Sequence, residues 1–265
     1  MEGEEDQLNS FSGGVAVKVI YHKDFLQSYT MDPAAANGRI DAVVKEIQDQ
    51  VTFIEAVAAT EKDIAAVHTR SHMDMVRRDG VYNIAALAAG GAIQAAEIGL
   101  TEPCFALIRP PGHHASAGSS WGFCYFNNMA IALEKLKREN KIKTAFVLDF
   151  DLHFGDGNVN ILGGRGYVDI YNPALSNRKD YVNSVEKWLS SKAVDIIGVS
   201  AGFDNHINDW GGLLSTQDYQ DMGRMVREAG QRNKGGCFAI LEGGYNHIVL
   251  GKNVKAFIEG MDMPA

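Results

Sequence analysis

Short runs of Val, Ile, Leu and Phe alternate along the chain with longer segments in which apolar residues recur at helical spacing. This alternation is typical of a mostly parallel β-sheet covered by helices, so it predicts an α/β fold. The runs predict strands at residues 15–21, 65–68, 104–108, 144–150, 167–171, 194–200 and 237–241. The periodic segments predict helices at residues 39–58, 83–100, 128–140, 181–191, 217–232 and 247–261.

Length and composition are those of an ordinary globular domain, with 265 residues of which 46% are hydrophobic and 22% charged. Neither an internal repeat nor a linker-like break divides the chain, so we expect one domain over residues 13–265 after a flexible N-terminus at 1–12. The apolar runs are shorter than the roughly 20 residues needed to cross a bilayer, and the acidic N-terminus does not resemble a signal peptide. We therefore expect a cytoplasmic protein.

Acidic residues outnumber basic ones by 33 to 25, which gives a formal net charge of −8. Such a chain repels phosphate backbones and anionic membranes, so neither nucleic acid nor a membrane is an expected partner. The glycine clusters lack the spacing that cradles nucleotide phosphates. The cysteines are odd in number and lack CxxC spacing, so we interpret Cys104, Cys124 and Cys237 as small buried apolar residues. These patterns do not indicate an oligomeric state.

Four of the predicted strands run directly into unusual polar sequences. In an open parallel sheet, ligands bind in the crevice outside the carboxyl ends of the strands. If these strands are parallel, their polar ends meet in one place, which is more informative than any single motif. The four sequences are RPPGHH (109–114), DFDLHFGD (149–156), SAGFD (200–204) and EGGY (242–245).

Metal-ligand chemistry is concentrated after the fourth predicted strand. Asp151 and His153 are two residues apart, so an extended chain places both side chains on one face, together with Asp149. Alone, such a pair fits a loop hydrogen bond equally well. With Asp204 arriving from the next strand end, two carboxylates and one imidazole predict a metal site with an open position, as catalysis requires. Zn²⁺ suits these ligands, and so do Fe²⁺, Mn²⁺ and Co²⁺.

Acid–base groups surround the predicted metal ligands. A Pro-Pro-Gly segment restricts the chain before His113 and His114, while Asp149 and Asp156 could each accept an imidazole N–H and raise the basicity of the ring. Tyr245 follows two glycines and could donate its O–H to an oxyanion. The plain alternatives are one exposed and one structural histidine, and a tyrosine that caps the core.

Five stretches of this sequence resemble the histone deacetylase, acetylpolyamine amidohydrolase and acetoin-utilisation superfamily, particularly its compact prokaryotic members. They occur in the family's order and span about half of the chain. The resemblance implies a deacetylase-like catalytic domain with a three-layer α/β/α fold and a mostly parallel sheet, related to arginase. The stretches are RPPGHHA (109–115), GFCYFNN (122–128), LDFDLHFGDG (148–157), SAGFD with GGL (200–204 and 211–213), and LEGGYN (241–246).

The resemblance implies a zinc-dependent amidohydrolase in which a metal-activated water attacks the amide of an N-acetylated alkylamine. The substrate would be acetyl-lysine in a protein or an acetylpolyamine. Members often hold potassium as well, here near Asp149 and Asp151. The implied metal ligands are Asp151, His153 and Asp204. The other implied roles are His114 as general base and then acid, His113 as electrostatic support, Asp149 and Asp156 as their partners, Tyr245 as the carbonyl-polarising group, and Gly112, Phe123, Gly243 and Gly244 along the substrate channel.

The sequence departs from the family pattern at several positions around the channel. Phe154 stands where a second histidine is common, a change that a structural or main-chain role would tolerate. The segment 157–194 is short for the family, so we expect a wider or flatter site. Trp121 and Trp210 are equally compatible with aromatic channel walls and with core packing. Asp79 is a candidate rim carboxylate, although a solvated loop position fits it better.

Two other functions compete with deacetylation. A binuclear manganese ureohydrolase on the same fold would carry Asp-x-His-x-Asp, but the last of these positions is Gly155, so we predict one catalytic metal per chain. A catalytically silent module that binds acyl-lysine would have lost the ligands, the histidine pair or the tyrosine. All of these residues are present, which favours the enzyme.

Overall fold

We describe the chain from a computed structural model, which covers residues 17–232 and 234–263. The flexible N-terminus predicted at 1–12 lies outside these residues. The strands are β1 Lys18–Tyr21, β2 Thr52–Glu55, β3 Cys104–Ala106, β4 Ala145–Asp149, β5 Val168–Tyr171, β6 Ile196–Ala201 and β7 Gly236–Leu241. The α-helices are α1 Arg39–Ile47, α2 Glu61–Ala65, α3 Arg70–Arg78, α4 Tyr82–Gly99, α5 Asn128–Arg138, α6 Asp156–Leu162, α7 Arg178–Ser190, α8 Thr216–Arg232 and α9 His247–Asp262, with 3₁₀ turns at Lys23–Leu26 and Pro33–Ala35.

These strands form one sheet in the order β2-β1-β3-β7-β6-β4-β5, and every neighbouring pair is parallel. Strands β3, β4, β6 and β7 are buried along their whole length. Helices cover both faces of such strands, which explains why their sequences read as nearly continuous apolar runs. The predicted α/β fold, with a mostly parallel sheet between two helical layers, is confirmed.

Helices α4 and α8 both pack on the central strand β7, one from each face of the sheet. Helix α4 packs on α5 in one layer, and α8 packs on α9 in the other, where α9 also contacts α1. The α8–α9 crossing is close because glycines meet backbone there. A Cβ at Gly223 would overlap the carbonyl oxygen of Phe257, and a Cβ at Gly260 would overlap that of Gln220. Any larger side chain would therefore push these helices apart.

The prediction of one helix over 39–58 is wrong in its second half. Helix α1 ends at Ile47, and Thr52–Glu55 forms the edge strand β2. Val51 and Ile54 continue the helical spacing of α1, which explains the error. An edge strand has one neighbour and is only partly buried, so β2 lacks the continuous apolar run that marks the central strands.

The prediction of a strand at 65–68 is also wrong, because this segment ends a short helix. The side chain of Thr60 accepts a hydrogen bond from the amide of Asp63 and caps α2, which runs to Ala65. Thr69 caps the following helix α3 in the same way, through the amide of His72. Helices α3 and α6 have no counterpart among the predicted elements.

The remaining predicted strands and helices are present, with ends that differ by a few residues. Cys104, Cys124 and Cys237 are free and buried, as predicted. Asp79 is an exposed residue at the end of α3. In the described part of the chain, the helices are too short or too polar to cross a membrane.

Candidate active site

The four polar strand ends predicted from the sequence lie side by side. They follow β3, β7, β6 and β4, which are consecutive in the sheet and parallel, so their carboxyl ends share one edge. Asp149 pairs with Ser200 across β4 and β6, and Ala201 pairs with Leu241 across β6 and β7. This register brings the segments after each strand to the same level.

Asp151, His153 and Asp204 form a compact group of possible metal ligands. One ligand atom from each lies within 4.8 Å of the other two. Nδ1 of His153 is 3.2 Å from Oδ1 of Asp151 and 3.1 Å from Oδ2 of Asp204. The other oxygen of each carboxylate accepts a hydrogen bond from a backbone amide. Oδ2 of Asp151 accepts from Gly243 at 2.8 Å, and Oδ1 of Asp204 accepts from Leu152 at 3.1 Å. These amides orient both carboxylates towards His153.

The donor set and its electrostatics fit a divalent cation. Both carboxylates are buried, and burial together with the charge of Asp151 raises the pKa of Asp204 to about 6. Close contacts with the carboxylates of Asp151 and Asp204 raise the pKa of His153 to about 10. Oδ2 of Asp204 is buried and finds no well-oriented hydrogen-bond donor within residues 17–232 and 234–263, although Nδ1 of His153 lies 3.1 Å away. A cation bound by two oxygens and one nitrogen would satisfy this oxygen and neutralise the paired carboxylates.

Glycines allow the chain to approach these carboxylates closely. A Cβ at Gly243 would lie 2.5 Å from Oδ2 of Asp151 and 2.7 Å from Oδ2 of Asp204. A Cβ at Gly202 would overlap the Asp151 carboxylate outright. The candidate metal site therefore requires glycine at both positions.

His113 is a buried imidazole beside buried carboxylates. Its Nδ1 lies 3.2 Å from Oδ2 of Asp149, which also accepts a hydrogen bond from Nδ2 of Asn158 at 3.0 Å. Burial alone would lower the pKa of His113, but Asp149 and Asp151 outweigh it and raise this pKa well above its usual value. The two carboxylates therefore favour the protonated, positively charged form of His113.

His114 has the opposite character. Its Nδ1 lies 2.7 Å from Oδ1 of Asp156, while burial and the charge of His113 lower the pKa of His114 to about 4. The ring is therefore neutral at neutral pH. With Nδ1 bonded to the carboxylate, Nε2 keeps a lone pair and could accept a proton.

Tyr245 is held at the cavity by its backbone and by its ring. Its amide donates to Oδ2 of Asp209 at 2.8 Å, and its ring stacks on Trp210 with centroids 4.0 Å apart. The ring of Phe123 meets it edge-on at 6.0 Å. Burial and the charge of Asp151 raise the pKa of Tyr245 above its usual value, so the phenol remains a hydrogen-bond donor.

A cavity of about 260 Å³ unites these groups. Trp121 and Trp210 form two of its walls and are 55% and 52% exposed, so the core-packing interpretation of these residues is wrong. Phe154 is also mostly exposed. The lining residues are Pro111, His113, His114, Trp121, Gly122, Phe123, His153, Trp210, Gly243 and Tyr245.

Two glycines predicted along the channel, Gly112 and Gly244, pack closely against other parts of the chain. Gly112 packs against the backbone of residues 126–128, where a Cβ would lie 2.6 Å from the amide nitrogen of Asn128. Gly244 has φ +115, and its carbonyl accepts a hydrogen bond from Nε of Arg39 at 2.8 Å. Both shape the wall through the backbone and are absent from the cavity lining given above.

Sequence reasoning missed three polar residues that support the site. Oε2 of Glu242 accepts the amides of Gly112 and His113, and burial raises the pKa of Glu242 to about 7. Arg39 is fully buried and donates to the backbone around Glu242. Asp209 holds the amide of Tyr245. Only the position of Glu242 at a strand end pointed to the site, because Arg39 is distant in sequence and Asp209 lies in a loop.

A second group of ligand-type atoms consists of His113, Cys124 and Glu242, also within 4.8 Å of one another. Burial raises the pKa of the Cys124 thiol well above its usual value, so it stays protonated and binds metals poorly. One oxygen of Glu242 already accepts two amides. This group therefore fits a supporting role behind the cavity better than a metal site.

Comparison with known proteins reveals one consistent family. The model of the histone deacetylase domain matches residues 33–172 and 167–261. A probable deacetylase of Methanothermobacter thermautotrophicus is 30% identical, with 85% of each chain covered. A histone deacetylase-like amidohydrolase of Pseudomonas aeruginosa is 27% identical over 74% of this chain and 66% of its own. The crystal structure of the HDA15 HD domain has the same fold, with a TM-score of 0.80, 23% identity, and coverage of 92% of this chain and 90% of that one.

Proposed function

Because the chain belongs to the histone deacetylase family, we propose that it is a zinc-dependent amidohydrolase that deacetylates N-acetylated alkylamines. The substrate class is acetyl-lysine in proteins or acetylpolyamines. One observation carries the proposal: His153 of the metal-ligand group, His114 with its partner Asp156 behind it, and Tyr245 meet at a single cavity. Each of these features serves amide hydrolysis, and a binding module would need none of them.

Asp151, His153 and Asp204 would hold the ion through two carboxylate oxygens and one imidazole nitrogen. A divalent ion there supplies a Lewis acid that acidifies water and polarises the amide carbonyl. We assign the protein's own proton transfer to Nε2 of His114, which is neutral and free to accept the proton of the attacking water. The same nitrogen then returns that proton to the departing amine.

The negative charge that develops on the carbonyl oxygen needs donors on the protein side. Tyr245 lines the cavity and is held in the phenol form, so its O–H can donate to this oxygen. The charged ring of His113 lies 4.0 Å from that of His114 and adds positive potential. Four aromatic side chains line the cavity, Trp121, Phe123, Trp210 and Tyr245, so a substrate that fills it would displace water and strengthen both interactions.

The ureohydrolase alternative requires a carboxylate at position 155, and the structure leaves no space for one. A Cβ at Gly155 would overlap Oδ2 of Asp149. An aspartate there would displace the carboxylate that supports His113. This argues for one catalytic ion in each chain.

The proposal is tested by measuring acetate release from acetyl-lysine peptides, acetylputrescine and acetylspermidine after loading the purified protein with Zn²⁺, Fe²⁺, Mn²⁺ or Co²⁺. We expect turnover with one equivalent of metal, loss of turnover with a chelator, and recovery when Zn²⁺ is restored. Asp204→Asn should abolish metal binding and activity. Asp79→Asn is the matched control, because Asp79 is exposed at the end of α3.

Three results would overturn the proposal. The first is that none of these substrates yields acetate at any metal loading. The second is release of urea with two equivalents of manganese, and the third is full activity in Asp204→Asn. A preference for acetylpolyamines over peptides, measured as kcat/KM, would decide between the two substrate groups.

A further inference from the structure

Two tryptophans each cover one of the side chains assigned to the reaction. Trp121 stacks on His114 with ring centroids 3.8 Å apart and planes tilted by 30°, and Trp210 stacks on Tyr245. Both indoles are more than half exposed, so burial in the core does not hold them in place. Specific contacts must do so, and for Trp121 these contacts lead directly to the general base.

Trp121 and His114 share one carboxylate. Nε1 of Trp121 donates to Oδ2 of Asp156 at 2.9 Å, while Oδ1 of Asp156 lies 2.7 Å from Nδ1 of His114. The indole of Trp121 therefore interacts with His114 in two ways. Its face stacks on the imidazole, and its N–H binds the carboxylate to which His114 is hydrogen-bonded. Because an indole N–H is a donor only, it binds one oxygen of Asp156 and leaves the other for the imidazole.

The backbone after Trp121 is bent in a way that keeps the indole over His114. Gly122 has φ +57 and Phe123 has φ +66, so two consecutive residues are left-handed. A non-glycine residue adopts this conformation at a cost, which the surrounding structure must offset. A Cβ at Gly122 would overlap the ring of His114, and the amide of Cys124 closes the turn on the carbonyl of Trp121 at 3.0 Å.

The shared carboxylate also determines which nitrogen of His114 carries the proton. Partial burial alone would raise the pKa of Asp156, but hydrogen bonds from Trp121 and His114 hold it below its usual value. An ionised carboxylate only accepts hydrogen bonds, so Nδ1 of His114 is the donor and Nε2 faces the reaction with its lone pair.

We propose that Trp121 is a positioning residue for the general base. Its indole N–H fixes the carboxylate of Asp156, and its ring shields the hydrogen bond between Asp156 and His114 from water. The inference rests on the proposed function, because this orientation of His114 matters only if the ring moves a proton. A tryptophan that merely walls the channel would affect substrate binding instead, so the two roles differ in their kinetics.

The kinetic test compares Trp121→Phe, which keeps an aromatic ring but lacks the N–H, with Trp121→Leu, which lacks both. We expect Trp121→Phe to lower kcat about tenfold, as is usual for lost partners of catalytic side chains, with KM changed by less than about twofold. Trp121→Leu should lower kcat further. Trp188→Phe is the control, since Trp188 stacks on Tyr171 and does not line the cavity. An unchanged kcat with a raised KM in Trp121→Phe would overturn the proposal.

An NMR test examines the hydrogen bond without turnover. The chain has three tryptophans, so three indole ¹H–¹⁵N signals can be assigned with the Phe variants. In metal-free protein, Asp156→Ala should shift the Trp121 signal upfield, whereas Asp79→Ala should leave it in place. If the Trp121 signal does not shift in Asp156→Ala, the proposal is wrong, even if the enzyme is active. If the parent protein hydrolyses no substrate, the proposed function is wrong, and so is the role of Trp121 as a positioning residue. The NMR experiment still shows in that case whether the hydrogen bond between Trp121 and Asp156 exists.

Discussion

His113 and His114 are adjacent in the chain with rings 4.0 Å apart, yet their surroundings drive their pKa values in opposite directions. Burial is the largest influence on both and lowers both. Asp149 and Asp151 overcome it at His113, whereas the charge of His113 adds to it at His114. Two titratable groups separated in this way are typical of a division between a charged ring and a base.

This separation predicts unequal effects of removing the two rings. His114→Ala should lower kcat by about 10²- to 10⁴-fold, because proton transfer is lost. His113→Ala should cost less, since it removes a charge but leaves the base. Steady-state kinetics with saturating Zn²⁺ checks both, and the thermal shift produced by Zn²⁺ should persist in His114→Ala. Equal turnover in His114→Ala and the parent protein would contradict the assignment of the base.

Tyr245→Phe should remove one hydrogen bond and little else. The phenylalanine ring can keep the stack on Trp210 and the edge contact with Phe123, so we expect an unchanged Tm. Loss of a donor to the developing oxyanion should lower kcat by about 10²- to 10³-fold. A large drop in Tm together with normal kcat would show that the hydroxyl is structural, and melting curves recorded beside the kinetics separate these outcomes.

Gly155, which precedes helix α6, lies close to Asp149, whereas Gly164, which follows this helix, has open space around it. Alanine substitutions at these two positions should therefore have very different effects on activity. Gly155→Ala should force Oδ2 of Asp149 away from His113, because the new Cβ would overlap it. Gly164→Ala is the matched control, since a Cβ at Gly164 meets no atom of the described residues within 4 Å. We expect Gly155→Ala to lose most of its activity and to melt at a lower temperature. Gly164→Ala should keep both its activity and its Tm. Parallel activity and melting measurements check this, and a fully active Gly155→Ala protein would contradict it.

The sequence predicts the central sheet well because its strands are buried on both faces. Continuous apolar runs at β3, β4, β6 and β7 leave little alternative. The edge strand β2 and the short helix α2 carry weaker signals, since partial burial and an N-cap at Thr60 determine them. Helical periodicity assigned β2 to a helix, and a short apolar run assigned the end of α2 to a strand.

The residues of the candidate site also differ in how well the sequence predicts them. Residues that follow a buried strand, such as Asp151 and Asp204, could be found from their position in the chain. Arg39 contacts the backbone of Glu242 across 203 positions, and no local pattern reveals such a contact. The two stacked tryptophans were ambiguous for the same reason, because a sequence does not indicate whether an aromatic ring meets the core or a cavity.

His68 is a buried neutral imidazole whose protonation should destabilise the fold. Its Nδ1 lies 3.1 Å from the carbonyl of Ser116, and its Nε2 accepts the amide of Asn127 at 2.9 Å. Burial, with a smaller contribution from His72, lowers the pKa of His68 to about 3. A proton on Nε2 would break the bond from Asn127 and place a charge in the core.

The folded-state pKa of His68 lies below its unfolded value of about 6.5, so the stabilisation is complete above that pH and is lost as pH falls towards 3. This residue should therefore contribute a slope of about 1.4 kcal/mol per pH unit to the unfolding free energy between roughly pH 6 and 4. Urea unfolding with a chelator present measures the slope. His68→Gln should flatten it by this amount. Identical slopes in His68→Gln and the parent protein would mean that another group governs acid sensitivity.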